Sequence, residues 1–350
     1  MFDLDTVLKN VYDARIPALD EVEKLLSLEK QDDVAALFSF ADNVRRHYCG
    51  DGILLRGIVE FSSFCARACF YCGLNRNNRT LKRYRLNKEQ ALECAETIKK
   101  SGIKTIVLQS GEDDSLDAYW LSDCIREIKN KFELAVTLCV GEKSLDEYRL
   151  WKNAGADRYL LKIETTNEKL YSSLHPGMVF ENRLKCLRIL KDLGYQVGCG
   201  NLVGLKGQTL RDIAEDILFF KRENFDMIGI GPFIPHSKTE LKDEPAGKPD
   251  LALKTLAVAR IVLKDVHLPA TTALGSLDED FRLDGLKAGA NVVMPNFTPM
   301  PYRKDYEIYP DKKCIDEPVG ACSLCLEGMA GSIGRHLDYS VGDSLKAKAL

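Results

Sequence analysis

The sequence predicts an α/β protein: a single complete (β/α)8 TIM barrel with an N-terminal helical cap and a C-terminal cysteine-rich extension. Three observations predict it. From about residue 53, short runs rich in β-branched residues alternate with longer stretches of helical periodicity. Eight such runs follow one another at a rhythm of roughly 30 residues. At 350 residues the chain is long enough for one large barrel. A doubly wound open sheet shares the same alternation, because periodicity does not report closure.

Residues 1–48 read as helical, with Leu25, Leu26, Leu28, Ala35, Leu37 and Phe38 offering apolar faces, and are expected to cap the barrel. The barrel then occupies 49–310. Its strands are expected at 53–61, 104–109, 134–140, 158–164, 196–203, 227–231, 268–272 and 290–295. Helices are expected near 87–100, 116–130, 144–153, 180–193, 209–223, 249–264 and 281–287, several opened by Asn, Ser, Asp or Thr as N-caps. Residues 311–350 form the extension, first cysteine-rich, then helical and polar, with a lysine-containing tail expected to be disordered.

With 45% hydrophobic and 29% charged residues, the chain buries a core and is not disordered as a whole. A formal charge of -3 supplies no general attraction to nucleic acid or anionic membranes. The N-terminal MFDLDTVLKN lacks a secretory signal, and no stretch approaches the roughly 20 apolar residues of a membrane span. A cytoplasmic location is expected. In that reducing compartment the twelve cysteines do not read as disulfides. Cys49, Cys94, Cys124, Cys139, Cys186 and Cys199 stand alone and read as small hydrophobes. The other six fall into two tight groups that point to metal.

The first group lies in FSSFCARACFYCGLNRNNRTLKRYRL, where Cys65, Cys69 and Cys72 follow the first strand in the spacing CxxxCxxC. Three thiolates on one loop reach three corners of a cubane iron–sulfur cluster, and the missing fourth leaves one iron for an exogenous ligand. A structural zinc ion wants four protein ligands, and this loop has no fourth Cys and no nearby His.

The loop, with Tyr71 directly before the last cysteine, resembles the signature of the radical S-adenosylmethionine (SAM) superfamily. The resemblance implies a 4Fe-4S cluster on Cys65, Cys69 and Cys72 whose open iron chelates SAM. One electron, from a donor such as ferredoxin or flavodoxin, then cleaves SAM to methionine and a 5'-deoxyadenosyl radical. It also implies that Gly111 and Glu112, in Ser110–Asp113 after the second strand, receive the SAM amino group. Glu164, ending the fourth strand, and Arg183, opening the next long helix, suit the ribose hydroxyls or ammonium and the SAM carboxylate respectively. Gly204, within GNLVGLKGQT, would let backbone approach the adenine ring.

The resemblance extends further. CGLNR, RYRL, TIVLQSGED, AGADRYLL, FENRL, DMIGIGPFIPH, PATTALG and GANVVMPNFTPMPYR, spanning residues 50–325, are similar to the HydE family of FeFe-hydrogenase maturases, relatives of biotin synthase and methylornithine synthase. This implies radical chemistry on a small sulfur-containing or iron-cysteine synthon during hydrogenase cofactor assembly, with other maturases as partners. Thr137 and Met294 would line the cofactor end of the cavity. Gln109, Arg158, Lys162, Thr271, Thr272, Tyr306 and Tyr309 would face substrate. Lys162 and Ile163 stand where the family reads Arg-His, and lysine is a point charge where arginine is a two-pronged clamp. That difference admits another small substrate, such as an amino acid rearranged by a mutase of the methylornithine synthase kind. Cys314, Cys322 and Cys325, spaced Cx7CxxC, match an accessory site of some family members and imply a second cluster, 2Fe-2S or 4Fe-4S. A zinc ion completed by a remote ligand is the alternative there. A noncatalytic iron–sulfur scaffold or carrier would also satisfy the cysteines.

Overall fold

The computed structural model describes residues 3–313, 315–317 and 321–346. Among them are nine strands: β1 (Gly52–Leu55), β2 (Gly57–Ser62), β3 (Thr105–Ser110), β4 (Ala135–Cys139), β5 (Arg158–Leu160), β6 (Gln196–Val203), β7 (Met227–Pro232), β8 (Val292–Val293) and β9 (His336–Asp338). β2 to β7 pair in parallel in sequential order, and β8-β1-β9 form a second, smaller parallel sheet. Sequential parallel order is what helix crossovers of one hand produce. The strands are buried almost throughout, as expected where a parallel sheet is covered on both faces.

The parallel α/β architecture agrees with the expectation, but the eight-stranded closed ladder does not form. The run 53–61 breaks at Arg56 into two strands that belong to different sheets. The run 268–272 makes only single parallel bridges, His267 with Met227 and Pro269 with Val292, because proline has no N–H to donate to a ladder. The last run shrinks to Val292–Val293 before Pro295, and a further single bridge joins Asn296 to Ile58 on β2. Much of the extension is tied to the sheets, while residues 347–350 of the lysine-containing tail lie outside the described residues. Its described part ends in β9, which pairs with β1, followed by residues 341–346, whose atoms bond to the starts of β3, β5 and β6.

Three N-terminal helices, Leu4–Asp13, Leu19–Leu26 and Gln31–Cys49, precede the sheets. They explain the helix Pro249–Leu263, which is buried on every side from Ala252 onward. The sheet lies on one side of it and the N-terminal helices on the other. A helix without a polar face is stable only when enclosed in this way. Its two internal cations are satisfied locally: Lys254 Nζ donates to Leu28 O at 2.7 Å, and Arg260 to Gly289 O at 2.8 Å and Val266 O at 2.8 Å.

Candidate active site

Between β2 and the helix Lys88–Lys100, which opens on an Asn87–Gln90 capping box, runs the cysteine loop. The loop has little regular structure, so its shape is set by bonds to other strand-end loops. Ala66 N–H donates to Glu112 O (2.8 Å), Phe70 N–H to Leu174 O (3.0 Å) and Gly73 N–H to Ile308 O (2.9 Å). Arg83 ties the loop to itself, donating to Leu74 O (2.9 Å), Asn75 O (2.8 Å) and Ser63 O. Two contacts demand glycine. A Cβ on Gly73 would lie 2.1 Å from Glu307 O, and one on Gly111 would lie 2.3 Å from Phe64 O and 2.7 Å from Cys65 Cβ. Gly111 therefore lets the end of β3 lie directly against the first cysteine.

Cys65, Cys69 and Cys72 are half-buried and line one cavity of about 380 Å³. Burial pushes all three thiols up, Cys69 to about 12, so metal binding must displace protons from them. Among the described residues no three Cys, His, Asp or Glu side chains converge closely enough to hold a single metal ion. A cubane, by contrast, takes its three thiolates at separate corners.

The same cavity gathers most of the residues singled out from sequence. Tyr71, Gln109, Gly111, Glu112, Thr137, Lys162, Glu164, Arg183, Thr271, Thr272, Met294, Tyr306 and Tyr309 all line it. Charges alternate around its mouth. Glu112 pairs with Arg67, and Arg183 lies 2.7 Å from Glu142 and 3.7 Å from Glu112 while donating to Lys162 O at 2.7 Å. Lys162 Nζ lies 2.9 Å from Glu164 Oε2, but off the axis of a hydrogen bond, and that buried oxygen makes none. Glu164 also holds a left-handed backbone (φ 65°), which a non-glycine residue adopts at a cost. Thr137 Oγ1, also on the cavity, is likewise buried without a hydrogen bond among the described residues. Buried polar atoms are normally paired, so unpaired ones at a cavity suit a ligand.

Further in, Gln109 Nε2 donates to Tyr306 OH at 3.1 Å, which leaves the phenol proton free to donate onward. Tyr71 OH lies 2.8 Å from His175 Nε2, and His175 Nδ1 lies 2.7 Å from Tyr171 O. Burial pushes His175 down to about 4, so the ring is neutral. Its Nδ1–H donates to the carbonyl and its Nε2 accepts from Tyr71, fixing the ring beside the cysteines.

Two of the residues singled out for SAM or substrate lie elsewhere. Arg158 does not line the cavity. It sits at the start of β5, fully buried, bonded to Asp343 Oδ1 (2.7 Å), Val341 O (3.1 Å) and Gln196 Oε1 (3.0 Å). Substrate-facing positions lie at strand ends, whereas Arg158 begins its strand, so its polar neighbours come from the C-terminal tail and the starts of β3 and β6. Gly204 packs against Gly247, whose Cα would be 2.4 Å from an added Cβ, so its close approach is to backbone. Cys325 is exposed and lines a separate small pocket with Lys313 and Glu317. Cys314 and the side chain of Cys322 lie outside the described residues. Sequence reasoning missed His175, Arg67, Glu142, Cys139 and the buried pair Glu60–Lys312, whose oppositely charged ends meet in the cavity wall. Only Glu60 carried a signal, as an acid within an apolar strand run.

A family model described as the Radical SAM superfamily matches residues 59–220. The [FeFe] hydrogenase maturase subunit HydE of Thermotoga maritima is 49% identical over 314 residues, 90% of each chain. The chain belongs to the HydE family of radical SAM enzymes. Among other relatives of this HydE-family chain, the 3-methylornithine synthase of Methanosarcina acetivorans is 29% identical over 83% of each chain. A crystal structure of methylornithine synthase (PylB) superposes with a TM-score of 0.82 at 25% identity, covering 98% of this chain and 99% of that one. The higher identity favours the maturase over a mutase of the methylornithine kind. For HydE-family enzymes the implied cofactors are a 4Fe-4S cluster and SAM. The residues present fit them: three thiols on one loop border a cavity whose wall also holds a carboxylate oxygen and a hydroxyl without hydrogen bonds. No helix among the described residues is long and apolar enough to cross a membrane.

Proposed function

We propose that this HydE-family enzyme holds a 4Fe-4S cluster on Cys65, Cys69 and Cys72 and acts on a small sulfur-containing or iron-cysteine synthon in FeFe-hydrogenase cofactor assembly. One observation carries the reading: the three thiols, the Glu164 and Thr137 oxygens that make no hydrogen bond, and the Gln109–Tyr306 pair border a single cavity. When bound, the cluster and SAM supply a 5'-deoxyadenosyl radical by one-electron cleavage of the sulfonium.

The chain's own residues supply recognition and exclusion of water. Glu112 and Glu164 accept from the SAM ammonium and ribose hydroxyls, and Arg183, oriented by Glu142, donates to the SAM carboxylate. Thr137 and Met294 border the nucleoside. Tyr306, its oxygen already accepting from Gln109, turns its proton toward substrate with Thr271, Thr272 and Tyr309. Lys162 offers an anionic substrate one mobile charge where a family arginine would offer a fork. In this reading the single bridges at His267, Pro269 and Asn296 complete a barrel around the cavity. Ferredoxin or flavodoxin supplies the electron, other hydrogenase maturases take the product, and the setting is the cytoplasm. Cys314, Cys322 and Cys325 hold an accessory second cluster.

Anaerobic reconstitution tests the core of this reading. Protein loaded with iron and sulfide, reduced with dithionite and given SAM is expected to release methionine and 5'-deoxyadenosine. A cluster that binds no SAM, or a single tetrahedral metal ion at the loop, refutes it.

A further inference from the structure

We propose that the outer face of the cysteine loop is the docking surface for an acidic one-electron carrier protein. The inference rests on the radical SAM reading, which requires an electron to enter through this loop, and it specifies where the donor binds.

Charge is distributed unevenly along the chain. Residues 61–88 contain seven basic residues and no acidic one, in a protein whose formal charge is -3. The structure divides these seven by task. Arg67 and Arg85 pair with Glu112 and Asp113, Lys88 pairs with Glu127, and Arg83 staples the loop backbone. Arg76, Arg79 and Lys82 remain, exposed and without a carboxylate partner among the described residues. Cations with no internal partner form a positive surface available to something outside the chain.

That surface lies against the cysteines. Arg76 follows Cys72 by four residues, so their Cα atoms are at most roughly 14 Å apart. Arg76 N–H donates to Arg67 O at 2.8 Å, which folds residue 76 back beside the Cys65–Cys69 segment. On the same loop Phe64, next to Cys65, leaves 39% of its surface exposed with the Arg85 guanidinium 5.1 Å from the ring centre. An exposed aromatic ring with unpaired cations on one loop suits a small, weak, charge-steered interface, the kind that electron-transfer encounters use. Each turnover takes one electron from the reduced carrier, which leaves oxidised by one electron, and that electron breaks one carbon–sulfur bond of SAM.

The test is a combined Arg76→Glu, Arg79→Glu, Lys82→Glu variant of the reconstituted holoenzyme, with 5'-deoxyadenosine release driven either by reduced flavodoxin, a small acidic protein, or by dithionite. The KM for flavodoxin is expected to rise about tenfold or more, the scale of electrostatic steering, with kcat and the dithionite-driven rate little changed. Added salt should raise the wild-type KM for flavodoxin and affect the variant less. An unchanged KM for flavodoxin overturns the proposal. So does loss of duplex DNA or RNA binding with that KM intact, which would make the patch a nucleic-acid surface. If the variant also loses dithionite-driven cleavage, the wild-type salt series decides, and a salt-insensitive KM overturns the proposal. Wild-type protein that fails to cleave SAM with dithionite refutes the cofactor reading instead.

Discussion

Replacing Arg158 by alanine separates two roles that the sequence leaves merged. The guanidinium is fully buried and donates to Asp343, Val341 O, Gln196 and Thr105, which ties the start of β5 to the C-terminal tail. Hydrogen bonds from a charged donor contribute about 1.5–3 kcal/mol each, but the acceptors differ in what they lose. Asp343 is 50% exposed, so water screens that ion pair and its share is at most about 1 kcal/mol. Val341 O and Gln196 Oε1 lie nearer the interior and lose a buried partner. Together these put the cost of Arg158→Ala at about 2–4 kcal/mol, less than the sum because the tail can rehydrate. Thermal denaturation of the anaerobic protein should show a midpoint lower by several degrees. Uncoupled release of 5'-deoxyadenosine per folded molecule should stay near wild type, because Arg158 does not border the cavity. A variant of unchanged stability that no longer binds substrate would refute the placement of this side chain as a structural tie.

Further outcomes follow from the site. Cys69→Ala should abolish SAM cleavage and the cluster absorbance, while Cys325→Ala, altering an exposed thiol in a separate pocket, should keep most of the cleavage rate; equal loss in both contradicts the separation. Gly111→Ala drives a Cβ into Phe64 O and Cys65, so iron incorporation should fall about tenfold or more while circular dichroism stays native, consistent with a local steric clash. His175, neutral because burial pushes it down to about 4, binds fewer protons folded than unfolded. Stability should therefore fall as pH drops from about 6.5 toward 4, and the fall should be shallower in His175→Gln, measured by urea midpoints; equal slopes would remove His175 as a contributor.

The cysteine loop was legible because its ligands are contiguous. Spacing alone puts three thiols on one turn, and no distant part of the chain is needed to see it. The βα rhythm was legible for the same reason, since periodicity is a local property and the order from β2 to β7 follows from sequential crossovers. Glu112, Glu164 and Arg183 could be placed once the strand ends were known, because a parallel sheet delivers strand ends to one rim. Where the strands are weakest the sequence misled: the β-branched content of 268–272 suggests a strand, yet Pro269 permits only isolated bridges.

What tertiary structure decided are the pairings between residues far apart in the chain. Lys312 meets Glu60 from the far end of the chain, His175 supports Tyr71, and Asp343 claims Arg158. A side chain's type states what it can bond, but a buried ion pair or hydrogen bond forms only with whichever partner the packed chain brings within about 3 Å. Composition and spacing thus determined the chemistry this chain carries, and packing determined which of its charged groups remain free to serve it.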